Sequence, residues 1–342
     1  MSVHFTTGFV VVAEGLRYPE GPVYLDDGGF LIVEVTGGNI VHFAPSLSDP
    51  GAYTRTRTIA VGGGPNGAKP GPGGFLYVCN NGGIDSIKLG AVEVPTFPPA
   101  SYTGGFIQRV SLSDGTFETW CAADSVGSVE SRCHIPPMPK GALRGPDDLI
   151  FDSTGGFWFS DWGKSTPSSR DLTGVYYVPA GSRTPIEKLQ GRSSPNGIAL
   201  SPDGKRLYVA ETYSRWILYW NLSGPGQIAD NCDWLDGGNL LTAKIPGMGQ
   251  LDSMAVDEMG NLYIATLTPG GPNLAKNGGI TVVSPHGEIL EYIELKVGDA
   301  ADPLPSNICF GGPDRKTAFI TLAGTGRVVT CRTKYAGLKL AF

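Results

Sequence analysis

The sequence predicts an all-β fold: a six-bladed β-propeller of four-stranded antiparallel blades, its ring closed by the N-terminal strand. Three observations predict it. A strand–turn–strand unit recurs six times, its spacing matches one propeller blade, and each copy carries one polar residue at the same place. The clearest copy, residues 193–220, reads SSPNGIALSPDGKRLYVAETYSRWILYW. Apolar residues alternate between Pro-Asn-Gly and Pro-Asp-Gly punctuation, which argues for short strands rather than helices. Five other stretches share the layout: PEGPVYLDDGGFLIVEV from Pro19, PNGAKPGPGGFLYVCNNGG from Pro65, PDDLIFDSTGGFWFSDWG from Pro146, LDSMAVDEMGNLYIAT from Leu251 and SNICFGGPDRKTAFIT from Ser306. Repeats of this period signal radial or stacked architectures.

Aligned, the copies place Glu20, Asn66, Asp147, Asn196, Asp252 and Asn307 at one position, the entrance to the first strand of each unit. Their separations are 46, 81, 49, 56 and 55 residues. Roughly 50 residues is the length of a four-stranded blade with its connections, so the one long gap holds an insertion of about 30 residues. The expected chain is a single propeller domain over residues 1–342.

The blades follow in order. Residues 8–14 form the outer strand of the last blade and pair near 327–332, which removes free sheet edges. Blade one covers 15–57. Blade two starts near Pro65 and carries an excursion at 85–103 between its second and third strands. Strands at 105–111 and 116–121 follow, then a long loop, 122–143. Blade three begins at Pro146 with a connection at 163–173. Blade four is the stretch quoted first, blade five has a loop at 268–277, and blade six runs from Ser306. All the long connections fall on the side of the polar ring. The turns on the opposite side, such as Asp203-Gly204 and His286-Gly287, are short. Functional loops gather on one face of a rigid scaffold.

Composition narrows the partners. The formal charge is −6 and no basic run is present, which argues against nucleic acid and anionic membrane. No apolar run reaches the roughly 18 residues of a membrane span, and the apolar start near Phe9 lacks a basic flank, so a cytoplasmic protein is expected. Gly (50) and Pro (27) are abundant, and the turns account for most of them. The six cysteines show no metal-binding spacing. Cys79 and Cys309 read as buried apolar residues, and a Cys121–Cys133 loop disulfide is a minor alternative to free thiols.

A ring of carboxylates and carboxamides is a poor dry core, because buried charge needs a partner, but it suits a hard cation with oxygen ligands. The competing reading is that these side chains only satisfy backbone groups along the channel wall. Three acids converging on one axis favour the cation. Glu20, Asn196 and Asp252 are the leading ligand candidates, with Asp147 the fourth. Asn66 and Asn307 read as pocket or supporting residues, and Asp148 is placed to reach the same space.

The motifs PEGPVY, GPDDL with FWFSDWG, PNGIALSPDGKRLYVAET, LDSMAVDEMGNLYIA and NICFGGPD resemble the SMP-30/gluconolactonase/regucalcin family of six-bladed propellers, along essentially the whole chain. The resemblance implies one divalent metal in the channel, calcium first, with zinc, magnesium or manganese as alternatives, and hydrolysis of lactones. It implies Glu20, Asn196 and Asp252 as ligands. The fourth family ligand is an Asn, where this chain has Asp147 in Pro146-Asp147-Asp148. Ser253 stands where the family motif carries Gly.

The chemistry so implied is opening of a cyclic ester at the metal. Asp252, or Asp148 in its place, takes a proton from the attacking water, and Asp252 is also a candidate nucleophile. Arg144 is a candidate for orienting an acidic or hydroxylated substrate, against the reading of a solvated loop residue. Asn66, Trp162, Tyr213 and His134 complete the candidate substrate site; Phe97 joins the aromatic walls, and His134 is the one histidine in a loop on the ring side. A different chemistry on the same scaffold (phosphotriester hydrolysis, a lyase, an isomerase) stays open. So does a non-enzymatic calcium- or ligand-binding propeller. The oligomeric state is not readable.

Overall fold

A computed structural model describes residues 3–49, 51–129, 142–229, 238–245, 249–268, 276–298 and 301–342. They form six small antiparallel sheets in a ring. Blade one is built from Pro19–Tyr24, Phe30–Glu34, Asn39–Pro45 and Tyr53–Ala60. Blade two uses Pro65–Gly71, Phe75–Asn80, Phe106–Ser111 and Phe117–Cys121, and blade three Pro146–Phe151, Phe157–Asp161, Thr173–Val178 and Ile186–Arg192. Blade four is Pro195–Leu200, Arg206–Glu211 and Ile217–Gly224, with Asn239–Thr242 at its edge. Blade five is Gln250–Val256, Leu262–Leu267, Gly279–Val283 and Ile289–Glu294. Blade six is Pro305–Gly311, Thr317–Leu322 and Arg327–Arg332, completed by Val10–Ala13 from the other end of the chain. The predicted closure is therefore the observed one, with Val10 opposite Thr330 and Val11 opposite Val329.

Each first strand touches the first strands of both neighbouring blades, around a complete circuit. The apolar core is not central. It is divided into six clusters, each filling the gap between adjacent blades. Ile280 and Tyr263 meet Ile308 and Ile320 between blades five and six; Trp158 meets Val209 and Trp220 between blades three and four. Burying these faces supplies the main stabilisation and leaves the axis to polar groups.

All six first strands are bulged, five of them at the same place and blade six one residue earlier. Glu20 pairs with Val33 but Val23 with Leu31; Pro146 pairs with Asp161 but Leu149 with Phe159; equivalent one-residue shifts follow Pro65, Pro195, Leu251 and Pro305. A bulge re-aims a side chain and bends its strand. Here it accompanies the polar residue of each unit, five of which line one cavity at the axis. The glycine that follows in three blades is required by crowding: a side chain on Gly21, Gly67 or Gly197 would strike the backbone at Asn66, Asp147 or Asp252 of the next blade.

A second polar position repeats at the end of the second strand. Asp161 accepts the N–H groups of Arg144 (2.7 Å), Gly145 (2.7 Å) and Gly163 (2.9 Å). Glu34 accepts from Arg17, Asn80 from Gly64 and Glu211 from Ser193. These residues clip the segment that delivers the axial residue of their own blade. Burial pushes the Asp161 carboxyl up to about 6. Among the described residues no helix is long and apolar enough to cross a membrane.

Candidate active site

The axial residues meet at the head of the channel. A cavity of about 440 Å³ there is lined by Glu20, Asn66, Asp147, Asn196 and Asp252, from the first strands of five blades, with Trp162 and Tyr213 on its wall. With Phe97, eight sequence-predicted site residues thus share one space. Asn307, on the sixth strand, lies behind Glu20: its Nδ2 donates to Glu20 Oε2 at 2.7 Å, as does the Gly21 N–H. Asn66 Nδ2 donates to Asp147 Oδ2 at 3.0 Å. Asn196 Nδ2 donates to Thr212 Oγ1 at 3.2 Å, which leaves its Oδ1 toward Ser253 and the axis.

Three carboxyl groups in one dry space oppose one another's ionisation. Burial pushes Glu20 up to about 7. Burial first, then the charge of Glu20, holds Asp252 well above the usual carboxylate range. Asp147 is raised in the same way by burial, Asp252 and Glu20. The phenol of the half-buried Tyr18, on the same wall, is raised by desolvation and by these acids.

The donor set fits a hard cation. Carboxylate and amide oxygens line the cavity and no thiolate or imidazole does. Asp147 Oδ1 is buried with no hydrogen-bond partner, a cost that a cation would remove. Among the described residues no three Asp, Glu, His or Cys groups close into a cage by themselves; the side chains of Asn66 and Asn196 line the same cavity.

Three other expectations meet a different outcome. Asp148 is fully buried but faces away from this cavity: Lys69 Nζ lies 3.3 Å from its Oδ1, which also accepts the Leu149 N–H. Neighbouring strand residues point to opposite faces, so its adjacency to Asp147 does not bring it to the same space. The exposed Arg144 does not line the cavity. Its backbone serves the fold instead, donating to Asp161 and accepting from Tyr102 Oη at 2.5 Å. His134 lies outside the described residues, as does Cys133; Cys121 is buried, and among the described residues it makes no disulfide.

The structure adds residues that the repeat did not reveal. Lys164 and Arg170, on the connection after the second strand of blade three, both line the cavity. The blade-two excursion folds as a hairpin, Ser86–Leu89 with Val92–Pro95. Residues Val94, Pro95, Thr96 and Phe97 roof the cavity. The buried Glu93 pins this roof: it accepts from Thr36 Oγ1 (2.7 Å) and Ser86 Oγ (2.6 Å), and its N–H donates to Gly324 O (2.7 Å). The hairpin therefore reaches from blade two to blades one and six.

Fold and site together define a six-bladed propeller with a roofed, oxygen-lined cavity at the head of its channel. The sequence profile of the SMP-30/gluconolactonase/LRE-like region matches residues 18–324, and the chain belongs to that family. A gluconolactonase of Zymomonas mobilis is 26% identical over 361 residues, covering 97% of this chain and 83% of that protein. Among solved structures, a gluconolactonase from Xanthomonas campestris superposes with a TM-score of 0.65 at 18% identity, covering 95% of this chain and 89% of its own. A calcium-binding protein, regucalcin, from Agrobacterium tumefaciens superposes with a TM-score of 0.64 at 14% identity, covering 98% of each.

Proposed function

We propose that this chain is a metal-dependent lactonase that opens a cyclic ester at the head of its channel, with Glu20, Asp147, Asn196 and Asp252 holding a divalent cation, calcium first. The observation that carries the reading is the convergence of three carboxylates and two carboxamides on one cavity, with a buried Asp147 oxygen that no protein group satisfies. The gluconolactonase relative supports the substrate class, and the calcium-binding neighbour supports the ion.

When bound, the cation supplies Lewis-acid polarisation of the ester carbonyl and stabilises the developing oxyanion. The chain's own residues do the rest. Asp252 Oδ1 is engaged by the Ser253 N–H at 3.1 Å, so Oδ2 is the atom that takes the proton of the attacking water. Water adds to the acyl carbon, the ring C–O bond breaks, and the departing alkoxide takes the proton held by Asp252, which returns the carboxylate to its starting state. Asn66 holds Asp147 in place, and Asn307 and Gly21 fix the orientation of Glu20. Trp162 and Tyr213, with ring centroids 5.6 Å apart, form an apolar wall for the substrate ring. Trp162 is itself oriented by its Nε1 donation to Thr212 Oγ1 at 3.1 Å. The pinned hairpin limits water over the site, which strengthens its electrostatics.

The test is a lactone panel followed by acid release, with and without chelator and with added calcium. Hydrolysis that is lost to chelator and restored by calcium is the expected result. Chelator-insensitive hydrolysis would sink the metal assignment. A silent panel with intact calcium binding would make the protein a binding propeller.

A further inference from the structure

Lys164 is buried, about 7% exposed, yet it has no acidic partner within ion-pair distance among the described residues. Its Nζ donates to two neutral oxygens, Asn81 Oδ1 at 3.2 Å and Gly83 O at 2.8 Å, and sits 5.2 Å from the centre of the Tyr102 ring. An ammonium has three N–H groups, so these bonds occupy two. Arg170 lines the same cavity. Its guanidinium carbon lies over the Tyr213 ring, 3.1 Å from the centroid, and Nε donates to Ser165 Oγ at 3.2 Å. It too has no carboxylate in ion-pair range among the described residues. Buried cations are ordinarily matched by acids. Here the buried Lys164 and the exposed Arg170 line the cavity from one connection and hydrogen-bond neutral oxygens, while Asp161, Asp147 and Asp171 act on Lys164 from beyond ion-pair distance.

We infer that these two residues form an anion-recognising wall, and that the substrate is a lactone carrying a carboxylate, which Lys164 and Arg170 bind while the ester faces the axial acids. This deepens the lactonase reading and rests on it. One remaining ammonium N–H and a guanidinium edge match the two oxygens of a carboxylate. A phosphate dianion brings a second negative charge into a space that already holds three acids, so the carboxylate is the better match. Burial draws Lys164 down to about 8, which still leaves it mostly cationic at neutral pH.

The experiment compares 5-oxotetrahydrofuran-2-carboxylate, its neutral carboxamide and a phosphorylated hydroxymethyl-butyrolactone on the calcium-loaded protein. The carboxylate is expected to lead the carboxamide by at least about 10-fold in kcat/KM, chiefly through KM. Lys164→Met is expected to cut that preference by about 10- to 100-fold, the loss of one charge-assisted hydrogen bond. Arg170→Gln, on an exposed loop where folding is not at stake, is expected to cut it about 3- to 10-fold. A preference for the carboxamide or the phosphate ester overturns the inference, as does a preference that neither substitution moves. If no lactone turns over, the lactonase reading fails by itself. The anion wall is then read from calorimetric binding of 2-hydroxyglutarate: binding that Lys164→Met abolishes upholds it, and no binding, or equal binding in both proteins, overturns it.

Discussion

The two ends of the channel are made by the same six strands and treat charge in opposite ways. At the foot, a cavity of about 600 Å³ is lined by apolar side chains such as Ile198, Met254 and Ile308, together with Lys69, and the C-terminal residues 338–342 lie along it. That segment is tied down: Leu338 N–H donates to Val256 O at 2.8 Å, Arg315 Nε donates to Gly337 O at 2.9 Å, and the Phe342 ring sits 5.5 Å from Phe151. The buried acid near this end, Asp148, has its cation in the fold as Lys69. At the head, Glu20, Asp147 and Asp252 have amide and backbone donors but no protein cation in ion-pair range among the described residues. Both ends are stable solutions for the scaffold. The foot shows that this chain can neutralise an axial acid internally. At the head no cation touches the three acids, and Lys164 and Arg170 only line the same cavity at longer range, a contrast that supports the ligand site proposed there.

Removing the base should break the contrast most severely. Asp252→Ala takes away both a ligand and the proton acceptor, and lactone turnover is expected to fall by at least about 10³-fold, at the upper part of the range for general-base loss. Initial rates in calcium excess measure it; a loss under tenfold would remove Asp252 from the chemistry.

At the foot the expected effect is on stability. Lys69→Met strands a fully buried carboxylate, and breaking such a pair costs about 3–5 kcal/mol. Urea unfolding should show that loss, and adding Asp148→Asn should return most of it. If the single substitution is neutral, the foot is not internally compensated and the comparison collapses.

Neutralising an acid at the head should have the reverse sign in metal-free protein. Glu20 rises from 4.5 to about 7 on folding. A raised acid favours the native state fully below its unfolded value and loses that advantage as pH climbs through its folded value. Metal-free wild type should therefore lose about 3 kcal/mol relative to Glu20→Gln between pH 4.5 and 7. Saturating calcium should remove the difference or invert it, since a ligand is then missing. Parallel pH-stability curves, with and without calcium, decide this, and curves that do not diverge would refute the uncompensated head.

Much of this arrangement was legible in the residues. The sixfold unit fixed the ring, and the shared polar position picked out Glu20, Asn66, Asp147, Asn196 and Asp252, because a radial fold brings equivalent positions to one axis. The bulges that accompany these side chains are a property of strand pairing, visible only once Glu20 is set against Val33 and Val23 against Leu31. For the same reason Asp148 was misjudged: adjacency in sequence says nothing about which way a bulged strand turns the next side chain. Lys164 and Arg170 belong to a connection with no counterpart in the other blades, so repeat alignment carried no information about them. Arg144 was chosen for its charge, whereas the fold uses its peptide N–H and carbonyl. Glu34, Asn80, Asp161 and Glu211, one strand further along, carry much of the backbone support, and Glu20, Asp252 and Asn307 add to it by accepting the N–H groups of Gly21, Ser253 and Ile308.

The smallest expected effect is the most discriminating for the departure from the family pattern at Asp147. Asp147→Asn restores the family's carboxamide, keeps an oxygen for the cation and keeps an acceptor for Asn66 Nδ2. It removes one of three mutually repelling charges, so metal-free protein should become more stable at neutral pH, by the burial and repulsion that raise Asp147. Calcium affinity should weaken by about tenfold, roughly 1.4 kcal/mol, because one anionic ligand becomes neutral. Turnover at saturating calcium should stay within about threefold, since the proton is taken by Asp252. Isothermal titration and steady-state rates on the same preparation separate the two roles. Unchanged affinity with collapsed turnover would move Asp147 from holding the cation to handling the proton, and would place the chain's departure from the family in its chemistry rather than in its metal affinity.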